Sequence, residues 1–210
     1  MAHIYLVRHG EARGTKSGLD KDFHLTKTGI KQAHAIGKFF KYKKVKFNKI
    51  YSSSLTRAKE TAAIIKKCTP APVEIWFDLY EQGAKQLAKG VSSHELYKKY
   101  HSDFSKIHAK VITAPDVDWN AAANGETIRS LCKRAKRIWK HLHKKYAESE
   151  KTILIVAHGM ILNFLVYAAM GFHYREALHM GWYNAACLHL QFVRVKSGHY
   201  PVIVVDNLHA

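Results

Sequence analysis

Arg8, His9 and Gly10 follow directly on the apolar run at 4–7. A cation with a planar fork suited to phosphate oxygens thus stands beside an imidazole that can act as nucleophile or proton carrier near neutral pH. The glycine lets the backbone come close to a ligand or take a positive φ. A second pair of this kind, His158-Gly159, closes the β-branched run at 153–157. Arg57 lies in the stretch 52–62, where Ser52, Ser53, Ser54 and Thr56 are candidate N-caps and Arg57 falls in the first helical turn. Cations are disfavoured beside the positive end of a helix dipole, and a bound anion reverses that preference. Glu81, in Asp78-Leu79-Tyr80-Glu81, offers a carboxyl for general acid work. Two cations, two imidazoles and a carboxyl suit phosphoryl transfer, which depends on positioning and preorganised charge.

These residues need rigid elements to bring them together. Strands are predicted at 3–8, 48–52, 73–76, 152–157, near 185–194 and at 201–205, and helices at 27–42, 56–67, 125–147 and 161–170. The run at 153–157 has the near-continuous apolar character of a strand buried on both faces. Ile128, Leu131, Ala135, Ile138 and Leu142 recur at three- and four-residue steps, which gives one buried helix face. Strands alternating with helices imply an α/β, three-layer fold with a mostly parallel central sheet and helices on both faces. The last two strands are close enough for an antiparallel hairpin. Ligands in such sheets bind at the carboxyl ends of the strands, where Arg8, His9, His158 and Gly159 all fall. The whole chain, 1–210, reads as a single domain, and 78–123 as a small cap insertion with a helix near 92–100 and a loop around 115–124.

In order along the chain, Leu6-Val7-Arg8-His9-Gly10-Glu11 resembles the signature of the histidine phosphatase superfamily, which includes the cofactor-dependent phosphoglycerate mutases. Leu25-Thr26-Lys27-Thr28-Gly29-Ile30-Lys31-Gln32-Ala33 resembles that family's Leu-Thr-x-x-Gly-x-x-Gln-Ala helix opening, and 52–62 its Ser-x-x-x-Arg-Ala-x-x-Thr-Ala segment. Asn124-Gly125-Glu126-Thr127 is similar to its Gly-Glu-Ser/Thr helix start, and Ala157-His158-Gly159 to its second histidine. The resemblance implies that His9 attacks a phosphomonoester and becomes phosphohistidine, while Arg8, Arg57 and His158 surround the phosphoryl oxygens. It implies that Glu81 protonates the leaving group and then activates water, and that neither metal nor cofactor is needed. Thr15 and Gly159 are the expected further phosphate contacts. Three departures stand out. Ala12 replaces the usual threonine, Thr15 replaces the frequent asparagine, and Glu81-Gln82-Gly83-Ala84-Lys85 replaces Glu-x-x-x-Gly-x-Trp. The Glu-Arg-x-Tyr-Gly stretch of the mutases is missing, which favours a phosphatase over a mutase-type phosphotransferase.

Apolar residues make up 47% of the chain and charged ones 24%, as in ordinary globular domains. Cys68, Cys132 and Cys187 form no CxxC pair and suit reduced, structural thiols in a cytoplasmic protein. No signal peptide is read, because the first apolar run carries Arg8 and His9. The apolar stretch 160–170 is too short for a membrane span, which needs ~20 residues. The fifteen histidines include no HExxH or Cys/His ligand set, so no metal site is expected.

The 34 lysines and arginines outnumber 16 acidic residues, for a net charge of +18. Clusters at 41–49 and 133–145 are first of all solvated faces, and they also attract polyanions and speed encounter with phosphate esters. No helix-turn-helix, zinc-finger or RNP pattern is present, so nucleic acid is not an expected partner. The expected partner is a phosphorylated small molecule, with a phosphoprotein as the other candidate. A different class of function, a catalytically weak module that only holds phosphate, would have no use for a nucleophilic histidine, and the departure around Glu81 is what keeps it as an alternative.

Overall fold

The computed structural model describes residues 1–13, 23–82, 126–172 and 182–204. The elements are β1 (His3–Arg8), α1 (Lys27–Tyr42), β2 (Lys49–Ser52), α2 (Thr56–Cys68), β3 (Val73–Ile75), a 3-10 turn at Phe77–Leu79, α3 (Ile128–Tyr146), β4 (Thr152–Ala157), α4 (Gly159–Met170), β5 (Cys187–Val195) and β6 (Gly198–Val204). Six strands form one sheet in the order β3-β2-β4-β1-β5-β6. β3, β2, β4 and β1 are mutually parallel. β5 runs antiparallel to β1, and β6 returns beside it as a hairpin. Of the expected cap, 83–123 lies outside the described residues, including the helix near 92–100 and the loop around 115–124.

Alternation along the central strands divides the core in two. Ile4, Leu6, Ile153, Ile155 and Ala157 face α3 and α4 and meet Leu131, Ala135, Ile138, Leu142 and Leu162. Tyr5, Val7, Leu154 and Val156 face the other way, against Phe40 of α1 and Ala58, Ala62 and Ile65 of α2. β1 and β4 are therefore covered on both sides, which is why they read as nearly unbroken apolar runs. Their parallel register, His3 with Thr152 through Arg8 with Ala157, brings both strand ends level. His9 and His158, each one residue beyond, are neighbours for that reason.

The motif at 25–33 has a physical explanation. Thr26 is the N-cap of α1, accepting from the Gly29 N–H, while its hydroxyl donates to Glu11 Oε1 at 2.8 Å. The Glu11 N–H donates to Gln32 Oε1 at 2.7 Å. A Cβ on Gly10 would stand 2.4 Å from the Gly29 carbonyl oxygen, and one on Gly29 would stand 2.0 Å from that of Glu11. The two backbones touch, and only glycine leaves room. Close approach, not positive φ, is what Gly10 supplies. α1 thus clamps the loop that carries the nucleophile candidate.

Two helix starts differ from expectation. α3 begins at Ile128 rather than 125, because the Thr127 hydroxyl caps the Ser130 N–H. α4 begins at Gly159 rather than 161, and the N–H of Met160 donates to Glu81. Among the described residues no helix is long and apolar enough to cross a membrane.

Candidate active site

β1 delivers His9 into a buried position, with its ring Nδ1 2.7 Å from the Gly10 carbonyl oxygen. Since a carbonyl only accepts, Nδ1 carries the proton and Nε2 is left with its lone pair. Arg57 agrees with this tautomer, because its Nε–H donates to His9 Nε2 at 3.1 Å. Burial, with the charges of Arg57 and Arg8, holds the imidazole pKa down to about 3. His9 is therefore neutral across the physiological range, as a nitrogen nucleophile must be.

Arg57 lies in the first turn of α2 as expected, but the N-cap there is Leu55 and makes no side-chain cap. Of the serines expected to cap it, Ser52 and Ser53 are used elsewhere, and Ser54 Oγ is buried without a hydrogen-bond partner among the described residues. Ser53 Oγ pairs with His158 Nε2 at 2.8 Å, and the Ser52 hydroxyl donates to the Ser53 carbonyl. Both sit at the fully buried end of β2. Thr61, one turn on, accepts from the Gly10 N–H at 3.1 Å and donates to the Arg57 carbonyl at 2.7 Å, tying α2 to the nucleophile loop.

His158 is completely buried as the N-cap of α4, with its ring centroid 5.0 Å from that of His9. Burial and the neighbouring Arg57, His9 and Arg8 push its pKa well below the ordinary value, so it too is neutral. Its Nδ1 is buried without a hydrogen-bond partner among the described residues, and so is Arg8 Nε. Arg8 Nη1 donates to the Trp182 carbonyl, and Trp182 Nε1 donates to Asn163 Oδ1 at 2.7 Å. Gly159 adjoins Arg8. A Cβ there would lie 3.9 Å from Arg8 Nε, an ordinary contact, so space alone does not require glycine.

Glu81 reaches the same place from the 3-10 turn. Its carboxylate accepts from the Gln82 N–H at 2.9 Å and from the Met160 N–H of α4 at 3.4 Å. Burial raises its pKa against the opposing pull of those N–H groups and of Arg57. A carboxyl that resists ionisation is suited to giving up a proton during a reaction. Behind it, Arg134 of α3 makes a buried two-pronged pair with Glu126, both contacts 2.7 Å, and donates to the carbonyls of Asp78 and Tyr80.

The structure therefore brings together Arg8, His9, Arg57, Glu81, His158 and Gly159, while Thr15 lies outside the described residues. Sequence reasoning took Ser53 only as a candidate cap and did not single out Thr61, Trp182 or Arg134. Ser53 and Thr61 belong to the motif at 52–62, and Arg134 sits in the apolar stripe of α3, where a cation is out of pattern. Nothing in the sequence marks Trp182. We predict that Ser53→Ala lowers stability by ~1–3 kcal/mol in urea denaturation, because it strands His158 Nε2 in the core.

A model of the histidine phosphatase superfamily (branch 1) matches residues 4–198. The mitochondrial serine/threonine-protein phosphatase PGAM5 of Mus musculus is 27% identical over 190 residues, 90% of this chain. The chain spans only 57% of the length of that relative. A 2,3-bisphosphoglycerate-dependent phosphoglycerate mutase of Bartonella tribocorum is 30% identical over 185 residues, 83% of this chain and 84% of the mutase. In fold, the chain is similar to the alpha-ribazole phosphatase of Shigella flexneri, with a TM-score of 0.70, 23% identity, and coverage of 98% and 96% of the two chains. It is also similar to the phosphoserine phosphatase of Entamoeba histolytica, with a TM-score of 0.67, 23% identity, and coverage of 99% and 98%.

Proposed function

The chain belongs to the histidine phosphatase superfamily, and on that footing we propose that it is a metal-independent phosphomonoester hydrolase working through phosphohistidine at His9. The observation that carries this reading is the state of His9. It is neutral, its Nδ1–H is committed to the Gly10 carbonyl, and its Nε2 lone pair points at a cation. Two buried groups beside it, Arg8 Nε and His158 Nδ1, have polar capacity that phosphoryl oxygens would meet.

In the first step a bond forms between His9 Nε2 and phosphorus as the ester P–O bond breaks, and Glu81 gives its proton to the departing oxygen. In the second, the Glu81 carboxylate takes a proton from water, the hydroxide oxygen bonds to phosphorus, and the P–N bond breaks. Phosphate leaves and Glu81 is again protonated. Arg8 and Arg57 neutralise the equatorial oxygens throughout. With Ser53 donating to Nε2, His158 presents Nδ1–H as a neutral donor. Removing a stabilising group of this kind typically costs ~10²–10³ in rate.

The substrate is proposed to be a small phosphomonoester, the class named for both phosphatases of similar fold. Three cysteines without a CxxC pair, Cys68, Cys132 and Cys187, suit a reducing, cytoplasmic setting. Transfer to a second organic acceptor would share the chemistry up to phosphohistidine, and the similarity to a mutase supports it as the second reading. Acid-labile label trapped on His9 from a phosphoester, followed by its partition between phosphate and a phosphorylated acceptor, decides between the two. Absence of label with active protein overturns both. For Glu81→Gln we expect a loss of ~10²-fold on alkyl phosphates and little on dinitrophenyl phosphate, whose leaving group needs no proton.

A further inference from the structure

Packing in α3 calls for an apolar residue at 134. Leu131, Ala135, Ile138 and Leu142 are fully buried against the sheet, and Arg134 falls among them, only 3% exposed. The contacts of its guanidinium join two segments, Glu126 and the stretch 78–80. Nε and Nη2 hold the Glu126 carboxylate, Nη1 donates to the Asp78 carbonyl at 2.5 Å and to the Tyr80 carbonyl at 2.8 Å, and the charge lies 3.8 Å from the centroid of the Tyr80 ring. Gln82 Nε2 in turn donates to the Glu126 carbonyl at 3.4 Å. Residues on both sides of Glu81 are thus anchored to one buried ion pair, while Glu81 itself makes no bond to that pair. Asp78 is held a second time, by Arg137 at 2.8 Å.

We propose that Arg134, with Glu126, is the positioning residue for the general acid. It fixes the backbone at 78–82 so that the Glu81 carboxyl stays at the start of α4, within reach of a leaving group above His9. This rests on the reading of Glu81 as the acid. A side chain that served only to pack would be replaceable by an apolar one. A planar fork that also meets two carbonyls is not replaceable by the point charge of lysine.

The test compares Arg134→Lys and the double variant Arg134→Met with Glu126→Leu. An apolar pair in place of a buried ion pair is often neutral or stabilising, so the double variant keeps the fold while losing the anchor. kcat/KM is measured for an alkyl phosphate and for dinitrophenyl phosphate, beside wild type and Glu81→Gln, with urea denaturation as the fold control. We expect both variants to lose ~10–10²-fold on the alkyl ester and under ~3-fold on the aryl ester, repeating the Glu81→Gln selectivity in weaker form. Equal loss on both esters, or loss on neither, overturns the positioning role. If Glu81→Gln itself leaves the alkyl-to-aryl ratio at the wild-type value, the acid assignment falls and takes the positioning role with it. A ratio that shifts in Glu81→Gln but in neither Arg134 variant removes the positioning role alone.

Discussion

Protein carrying His9→Ala is expected to keep its fold and to turn over phosphomonoesters more than ~10⁴-fold more slowly than wild type, with EDTA changing neither rate. The size follows from the kind of group lost. On the proposed mechanism Arg8, Arg57 and His158 share the stabilisation of one charge distribution, so the others soften the loss of any one. The nitrogen proposed to form the covalent intermediate has no substitute there, because His158, its neighbouring imidazole, turns Nε2 to Ser53. The truncation removes a buried polar ring that costs stability at acid pH, and urea denaturation beside wild type checks that the fold is kept. Phosphate release on an aryl phosphate and a panel of phosphorylated metabolites checks the expectation. Near-normal turnover by the variant would remove the phosphohistidine route entirely.

The second large effect is on stability at acid pH. His9 is buried and neutral in the folded protein, with its pKa held near 3, against an ordinary 6.5 in the unfolded chain. Below pH 6.5 the unfolded state therefore binds a proton that the folded state refuses, and stability falls as pH falls. The whole interval is worth about 5 kcal/mol, of which about 2 kcal/mol is gone by pH 5. His158, also depressed by burial, adds a loss of the same sign. Glu81 opposes them, since its raised pKa lets the folded state take up a proton first as pH falls. The His9 contribution alone is a large share of a typical total of ~5–15 kcal/mol. Urea midpoints taken from pH 7.5 to pH 4.5 should fall steeply for wild type and distinctly less for His9→Gln. Parallel curves for the two proteins would contradict the buried neutral state.

How much of this could be read in the residues depends on what each feature needs. β1, β4 and the α3 face were legible because period and burial write themselves into the pattern of apolar side chains. His9 and His158 were legible as a pair because both end such runs at a His-Gly step. The role of Gly29 was not, since its reason is the Glu11 carbonyl, far away in sequence. The serines at 52–54 invited a capping interpretation by local rules, but Ser53 is taken by the buried His158, which follows β4. Arg134 shows the limit most clearly. Its partners, Asp78, Tyr80 and Glu126, come from separate segments that only the folded chain brings to one point.

The placement of β1 between β4 and β5 bears on how the molecule is made. β1 has no hydrogen-bonded neighbour from its own part of the chain, because its partners begin at Thr152 and Cys187. A growing polypeptide therefore carries an apolar strand with two open edges until β4 and β5 have been synthesised, the condition in which such strands associate wrongly. Closing so long a loop for a parallel pair is entropically costly and slow. The step that inserts β1 also brings His9 level with His158. Assembly of the candidate site therefore depends on the pairing of β1 with β4, and regain of activity on refolding is expected to track the phase in which that pair forms.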